Sequence, residues 1–174
     1  DLDSFKAVIL SGSPFSVRSE DALRFDLSKI KGKKPLLGVC YGAQYIAHFE
    51  GGKVIASNKR EYGRASLSSI DHSNLLFKNV EVNTQVWMSH SDTIENLPTN
   101  GKCIASTNDV KNAAYSIEDE MVYGIQFHPE VYHTKKGKEI LKNFLINISK
   151  VKPDWTPDSF SNRTISEIKE LVGE

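Results

Sequence analysis

A cysteine stands between two glycines in the segment Gly38-Val39-Cys40-Tyr41-Gly42, where an apolar run ends and a helix-like run begins. This spacing is typical of a nucleophile held on a sharp turn between a strand and a helix. Glycine on either side avoids the clash that a Cβ would cause where the backbones approach closely. The positive end of the following helix is expected to favour the reactive thiolate. Cys40 is therefore a candidate nucleophile, although a lone cysteine is also found as a small buried hydrophobic residue.

A histidine and a glutamate follow another strand-like run, in the segment Phe127-His128-Pro129-Glu130. Residues two apart in an extended segment point to the same side, and Pro129 favours an extended conformation for the residue before it. A cysteine nucleophile needs a base to accept its proton and an acidic group to orient that base. Cys40, His128 and Glu130 can supply these three roles. The alternative for His128 is a hydrogen-bonded residue at a strand end.

The elements around these residues predict how they come together. Residues 5–10 and 35–39 read as buried strands, residues 43–49 as a helix and residues 53–57 as a further strand. Such alternation predicts an open, mostly parallel α/β sheet flanked by helices, whose ligands bind beyond the carboxyl ends of the strands. The turn Ser11-Gly12-Ser13-Pro14 follows the first strand, as Cys40 follows the second. Both are therefore expected at one edge of the sheet.

The spacing of apolar residues predicts several further elements. Two are helices with one buried face, over residues 21–30 and 137–150. The second half of the chain is richer in strands, and it includes an antiparallel hairpin. The predicted strands cover residues 65–70, 85–88, 102–106, 113–117 and 121–127, of which the last two form the hairpin.

Composition excludes several classes of function. The 174 residues contain 22 Lys and Arg against 22 Asp and Glu, so no basic excess points to nucleic acid or to an anionic membrane surface. The two cysteines, Cys40 and Cys103, show no metal-ligand spacing and suit a reducing cytoplasm, and Cys103 is assigned to the core. The sequence therefore predicts a protein of the cytoplasm that binds no metal, nucleic acid or membrane. No apolar run approaches the length that spans a membrane.

Three segments together resemble class I (triad) glutamine amidotransferases. They are the cysteine loop at residues 38–44, the His-Glu loop at residues 124–131 and the strand end at residues 11–14. Within this family the sequence is most similar to the amidotransferase domains of GMP synthases, on residues 60–63, 86–92 and 132–134. The resemblance covers nearly the whole chain. It implies a flavodoxin-like α/β fold with an added antiparallel hairpin region.

The resemblance implies a role for each residue of the predicted triad. Cys40 would attack the side-chain amide carbon of L-glutamine, and His128 would accept the thiol proton and later protonate the departing ammonia. Glu130 would hold the imidazole. Backbone amides of Ser13 and Tyr41 would stabilise the oxyanion, since a tetrahedral intermediate needs fixed N–H donors. Water would then hydrolyse the γ-glutamyl thioester to glutamate.

The resemblance also implies a set of residues that hold the charged end of glutamine, whose groups must stay paired when they are desolvated. From the sequence alone the stretch at residues 89–92 would be an ordinary polar loop. Two positions depart from the family, which commonly has glycine where this chain has Ser13 and Ser91, and activity is expected to survive both changes. The implied glutamine-binding residues are Gly12, Gln44, Ser89, His90, Ser91 and Asp92.

Domain organisation follows from the same resemblance. Residues 1–150 correspond to the amidotransferase domain without the strand-helix unit with which the family's domain opens, so either this sequence is a fragment or the protein is shortened. Residues 151–174 are predicted to form a stiff linker over 151–158 and a short helix that begins at the capping box Thr164-Ile165-Ser166-Glu167. An ATP-pyrophosphatase domain would follow. It would supply the sites for ATP, magnesium and XMP as well as a homodimer contact, so this chain itself would carry no cofactor.

Other functions remain open for this sequence. One is a non-catalytic or truncated regulatory module of the same fold. Another is a cysteine hydrolase that acts on γ-glutamyl peptides, although Tyr41 and Gln44 match the amidotransferases better.

Overall fold

The computed structural model describes residues 2–173, without the side chains of Leu2, residues 58–61 and Glu118. Within this range seven strands form one sheet in the order β1-β2-β7-β6-β5-β3-β4. The strands are β1 Val8–Leu10, β2 Leu36–Val39, β3 Lys53–Ile70, β4 Gln85–Asn96, β5 Lys102–Thr107, β6 Ala114–Ile117 and β7 Val122–Ile125. The helices are α1 Tyr41–Phe49, α2 Gly137–Lys142, which continues as a π-helical segment Asn143–Ile148, and α3 Pro157–Val172. Short 3-10 turns occupy Leu2–Ser4, Leu27–Lys29, Leu75–Phe77 and Glu118–Glu120.

The sheet is mixed. β2 pairs in parallel with β1 and β7, whereas β7 with β6, β6 with β5, β5 with β3 and β3 with β4 pair antiparallel. All residues of β2 and β7 are buried, as expected of central strands with both faces covered. The α/β class and the antiparallel hairpin are confirmed. Parallel pairing is confined to three neighbouring strands, because short connections in the second half of the chain permit only antiparallel neighbours.

Hydrophobic cores lie on both faces of the sheet. Tyr45 and Ile46 of α1 pack on one face. On the other face Phe127 packs near Ile140 and Phe144, which belong to α2 and its π-helical continuation. This buried face confirms the helix predicted over residues 137–150.

The helix predicted over residues 21–30 is wrong. This segment is irregular except for the turn Leu27–Lys29, and Leu23 is exposed. The hydroxyl of Tyr45 accepts a hydrogen bond from the Phe25 amide at 2.8 Å and donates one to the Phe25 carbonyl. The hydroxyl of Tyr41 donates to the carbonyl of Leu23 at 3.0 Å. Side chains of α1 thus satisfy backbone groups that a helix would have paired internally.

Two separate strands predicted over residues 53–57 and 65–70 are one long strand, β3. It pairs antiparallel with β4, and the register shifts between Ala56 and Glu61. β4 in turn extends well past the predicted range 85–88 and contains residues 89–92, which were expected to form a loop. Their alternation of buried and less buried positions is that of a strand with one covered face. Residues 60–63 carry part of the resemblance, but the side chains of Arg60 and Glu61 are among those that the structure does not describe.

The last helix begins earlier than the predicted Thr164. The Thr156 hydroxyl accepts from the Ser159 amide at 3.0 Å, while the Ser159 hydroxyl accepts from the Thr156 amide at 2.8 Å. Pro157 then occupies the first helical position, where its fixed φ and missing N–H suit a helix start. The capping box predicted at Thr164 is therefore wrong, because Thr164 lies inside α3, and the linker is shorter than predicted. No residue of α3 in its described range is buried.

Candidate active site

Cys40 occupies a strained turn between β2 and α1. Its φ of 50° and ψ of −106° are unusual for a residue with a Cβ. A Cβ at position 38 would lie 2.6 Å from the amide nitrogen of Ala43, and one at position 42 would lie 2.3 Å from the carbonyl oxygen of Leu10. Neither approach is compatible with a side chain. The predicted role of the two glycines is therefore confirmed.

Sheet register brings His128 to the same edge as Cys40. Val39 is paired with Ile125 on the neighbouring parallel strand, and the amide of Cys40 donates to the carbonyl of Ile125 at 2.8 Å. The chain then continues to His128, whose Nδ1 lies 2.7 Å from Oε1 of Glu130. The structure thus shows the predicted contact between the imidazole and the carboxylate. It also shows why residues far apart in sequence meet, since both follow the carboxyl ends of adjacent parallel strands.

A cavity of about 410 Å³ opens at this edge of the sheet, a size suited to a small ligand. A Cβ at Gly12 would lie 3.1 Å from Cε1 of His128 and 3.6 Å from Cβ of Cys40, so both side chains border one small space. Gly12, Ser13, Pro14, Phe15, Cys40, Gln44, Tyr62, Ser89, His90, Ser91, Asp92 and His128 line the cavity.

The thiol of Cys40 is protonated at neutral pH. Burial raises its pKa to about 11, and the Glu130 carboxylate adds to this rise, whereas the backbone amide of Tyr41 opposes it. The first amide of the helix does favour the thiolate, as expected, but desolvation outweighs it and the net shift of the pKa is upward. The Sγ atom donates to the carbonyl of Ser89 at 3.6 Å. A base must remove the proton before this sulfur can act as a nucleophile.

The raised pKa predicts slow alkylation of the free protein. At pH 8 a thiol with a pKa of about 11 is ionised in about one molecule per thousand. We expect the rate at which iodoacetamide modifies Cys40 to rise about tenfold per pH unit between pH 8 and pH 10. Mass spectrometry of samples quenched at successive times measures this rate. A Cys103→Ser variant is used so that only Cys40 can be alkylated. A rate that is already constant below pH 8 would contradict the prediction.

One of the two predicted oxyanion donors, the amide of Tyr41, lies at the sulfur. The amide of Tyr41 interacts with the Cys40 thiol at the start of α1. Ser13 lines the cavity, and its side chain accepts a hydrogen bond from the Phe15 amide at 3.3 Å. Ser13 is outside the set of residues with positive φ, so serine in place of glycine imposes no backbone strain here. The oxyanion role of the Ser13 and Tyr41 amides stays a prediction.

The residues predicted to hold glutamine converge on Asp92. The Nε2 atom of Gln44 donates to the Asp92 carbonyl at 2.7 Å. The buried Asp92 carboxylate pairs with Nη2 of Arg18 at 2.8 Å and accepts from the hydroxyl of Ser16. His90 is also buried, and desolvation, with the His128 imidazole adding, lowers its pKa although Asp92 opposes this. These residues make a polar wall of the cavity.

Two other classes of site are not found in the described part of the chain. Within residues 2–173, no helix has both the length and the apolar character needed to cross a membrane. The same residues also contain no group of three or more His, Cys, Asp or Glu side chains placed to hold a metal ion.

Comparison with known families shows the family of this chain. The family model described as "Glutamine amidotransferase class-I" matches residues 1–148. The chain belongs to the class-I glutamine amidotransferase family. A solved structure from Thermoplasma acidophilum, provisionally assigned as a GMP synthase subunit, has 32% sequence identity and a TM-score of 0.73, and the match covers 95% of this amidotransferase chain and 78% of that one. The α/β fold expected from the resemblance is therefore confirmed.

Two curated relatives are similar along the whole amidotransferase chain. The glutamine-hydrolysing GMP synthase of Christiangramia forsetii is 62% identical over 100% of this chain, and that of Flavobacterium psychrophilum is 61% identical over 99%. Each alignment covers 34% of the relative. The chain thus spans about a third of the length of these relatives.

Several residues at the amidotransferase site were missed as site residues, among them Ser16, whose hydroxyl donates to the Asp92 carboxylate. Pro14 and Tyr62 line the cavity and belong to segments that the resemblance singled out. Phe15 also lines it, and Arg18 pairs with Asp92, but neither carries a local sequence signal. A long-range ion pair could not be predicted because the partners are 74 positions apart.

Gly12 offers a test of the cavity. A Gly12→Ala methyl group would intrude between Cys40 and His128, where a neighbour must yield by a few tenths of an ångström. We expect kcat/KM for glutamine hydrolysis to fall roughly tenfold or more, because small displacements of reacting groups are costly. The thermal midpoint should change little, since Gly12 has no positive φ. Unchanged steady-state kinetics would show that the ligand does not enter between these side chains.

Proposed function

We propose that this chain is the glutamine-hydrolysing part of a GMP synthase. The reaction converts L-glutamine and water to glutamate and ammonia through a thioester on Cys40. One observation carries the proposal: the imidazole of His128, held by Glu130 at 2.7 Å, borders the same small cavity as the thiol of Cys40. Retention of this arrangement weighs against a non-catalytic module.

The chemistry follows from the protonated thiol. His128 accepts the proton from Sγ of Cys40 as the sulfur attacks the amide carbon of glutamine. The oxyanion that forms accepts hydrogen bonds from the amides of Ser13 and Tyr41. Collapse of this intermediate breaks the C–N bond, and the imidazolium donates its proton to the leaving ammonia. Water, deprotonated by His128, then attacks the thioester and releases glutamate and the thiol.

Specificity for glutamine rests on the polar wall. A zwitterionic ligand must exchange its hydration for paired groups of the protein. Gln44 and Asp92 face the cavity and are joined by a hydrogen bond, and Ser89, His90 and Ser91 lie next to Asp92 on β4. We assign the α-amino and carboxylate groups of glutamine to this wall. The side-chain amide then points to Cys40.

The ammonia goes to a synthetase. The high identity to GMP synthases over the full chain supports an ATP-pyrophosphatase partner domain, which uses ATP, magnesium and XMP to form GMP. We assign residues 1–150 to the amidotransferase domain and residues 151–174 to the connection with that partner. The exposed apolar side chains on α3, among them Phe160, Ile168 and Leu171, are consistent with a helix that packs on a further domain. Dimerisation would also occur through that half.

Affinity labelling tests the proposal. A chloroketone or diazo-ketone analogue of L-glutamine should modify Cys40 stoichiometrically and faster than iodoacetamide, with peptide mass spectrometry as the readout. Glutamate and ammonia should appear when the chain is incubated with L-glutamine, and γ-glutamyl peptides should be poor substrates. Addition of the synthetase half with ATP and XMP should increase turnover and yield GMP. Labelling of Cys103 in preference to Cys40 would overturn the proposed nucleophile.

A further inference from the structure

The segment that follows the His-Pro-Glu sequence lies along β4. The amide of Lys135 donates to the carbonyl of Gln85 at 3.0 Å, and Nε2 of Gln85 donates to the carbonyl of His133 at 2.7 Å. The rings of His133 and Trp87 stack with their centroids 4.3 Å apart. Residues 132–135 are therefore held against the strand that forms the polar wall of the cavity.

Thr134 is the point where this segment meets His128. Its hydroxyl oxygen accepts from the backbone amide of Trp87 at 3.0 Å, and its proton is donated to the carbonyl oxygen of His128. The amide of His128 in turn donates to the carbonyl of Trp87 at 2.9 Å. Thr134 is 4% exposed, so water does not replace these bonds. One buried hydroxyl thus closes a ring of hydrogen bonds around the backbone of His128.

The start of α2 supports the same loop from the other side. A Cβ at Gly137 would lie 1.9 Å from the carbonyl oxygen of Pro129, so the helix backbone packs directly on the residue after His128. The amide of Gly137 donates to the carbonyl of Thr134 at 3.1 Å. His128 is therefore fixed through its N–H, its C=O and the proline that follows, while Glu130 fixes its ring.

We infer that Thr134 is a positioning residue that sets the orientation of the His128 imidazole toward Cys40. This inference rests on the proposed function, in which His128 takes the thiol proton. Without the hydroxyl, the carbonyl of His128 and the amide of Trp87 would both be left buried and unsatisfied, and the loop would move to pair them. The imidazole moves with its backbone. A small shift in a proton acceptor lowers the rate of the chemical step more than it weakens substrate binding.

Three variants test the role of the hydroxyl. Thr134→Val keeps the shape and removes both hydrogen bonds, whereas Thr134→Ser keeps the hydroxyl. Thr107→Val is the matched control, since the Thr107 hydroxyl is also buried, accepts from the Val110 amide at 2.9 Å and lies outside the cavity lining. Glutamine hydrolysis and thermal midpoints are measured for each. We expect Thr134→Val to lower kcat roughly 10- to 100-fold with KM changed less than about threefold, and Thr134→Ser to restore kcat to within about twofold.

Thr107→Val should lose a comparable amount of stability and keep its kcat. The inference is overturned if Thr134→Val loses stability as the control does but retains the wild-type kcat. A spectroscopic readout addresses the same question without turnover. The ¹⁵N shifts of the His128 ring report its hydrogen bond to Glu130, and Thr134→Val should alter them whereas Thr134→Ser and Thr107→Val should not.

These readouts separate the inference from the proposed function. If the wild-type chain with its synthetase partner did not hydrolyse glutamine, or if Cys40→Ala hydrolysed it normally, the proposed function would fail. The ring shifts of His128 would still decide the role of Thr134. Unaltered shifts in Thr134→Val would refute positioning whatever the activity of the protein.

Discussion

Replacement of Cys40 by alanine is expected to abolish glutamine hydrolysis while the fold is retained. Loss of a nucleophile that acts together with a base lowers kcat by about a millionfold in a comparable triad. Cys40 is 5% exposed and alanine removes one buried sulfur atom, so the loss of stability should be about 1 kcal/mol. Coupled detection of ammonia measures the activity, and circular dichroism confirms the fold.

Cys103 provides the control. It is also a free cysteine, it lies in β5, and its Sγ contacts backbone carbonyls such as that of Lys111 at 3.3 Å. Cys103→Ala should hydrolyse glutamine at the wild-type rate. If Cys40→Ala released ammonia normally and Cys103→Ala did not, the assignment of the nucleophile would be reversed.

Substitution of Gly42 by alanine should be the most destabilising change at the turn. The added Cβ would lie 2.3 Å from the carbonyl oxygen and 2.7 Å from the Cβ of Leu10, both on the strand that β2 pairs with. Neither group can move without separating β1 from α1. We expect the free energy of unfolding to fall by about 2–3 kcal/mol, as measured by urea denaturation, and glutamine hydrolysis to be lost because α1 carries the amide of Tyr41.

Gly51→Ala is the comparison variant. Gly51 has a φ of 84° and nothing within 4 Å of the position a Cβ would occupy. This substitution should cost about 1–2 kcal/mol through backbone conformation alone, with hydrolysis unchanged. If Gly42→Ala and Gly51→Ala were equally destabilised and equally active, the contact between position 42 and the Leu10 carbonyl would not limit stability or activity.

The sequence could predict the parts of the site that depend on local pattern. Cys40 lies between glycines after an apolar strand, and His128 precedes a proline and lies two residues from Glu130. Each pattern constrains the backbone over a few residues, so type and direction follow from short-range sterics. The patterns do not predict that β2 and β7 are neighbours in the sheet. That pairing is implied by the family resemblance and is seen in the fold.

The remainder depended on contacts between distant segments. The apolar spacing of Leu23, Leu27 and Ile30 favours a helix, yet hydroxyls from Tyr41 and Tyr45 satisfy the backbone there. Propensity is a weak preference that tertiary contacts override. The protonation of the Cys40 thiol could not be predicted from the sequence either, because its pKa is raised by burial, which is a property of the folded chain.

The turn at Cys40 has a consequence for how such a module can be combined with others. The sulfur and the imidazole are carried by neighbouring strands, and the separation of hydrogen-bonded strands is about 4.8 Å in any sheet. The sheet therefore fixes the backbone positions from which the turn at Cys40 and the loop at His128 begin, and the loop sets the final orientation of the imidazole. If the proposed function holds, the acceptor enzyme attached to this unit can be exchanged without rebuilding the turn that carries the nucleophile.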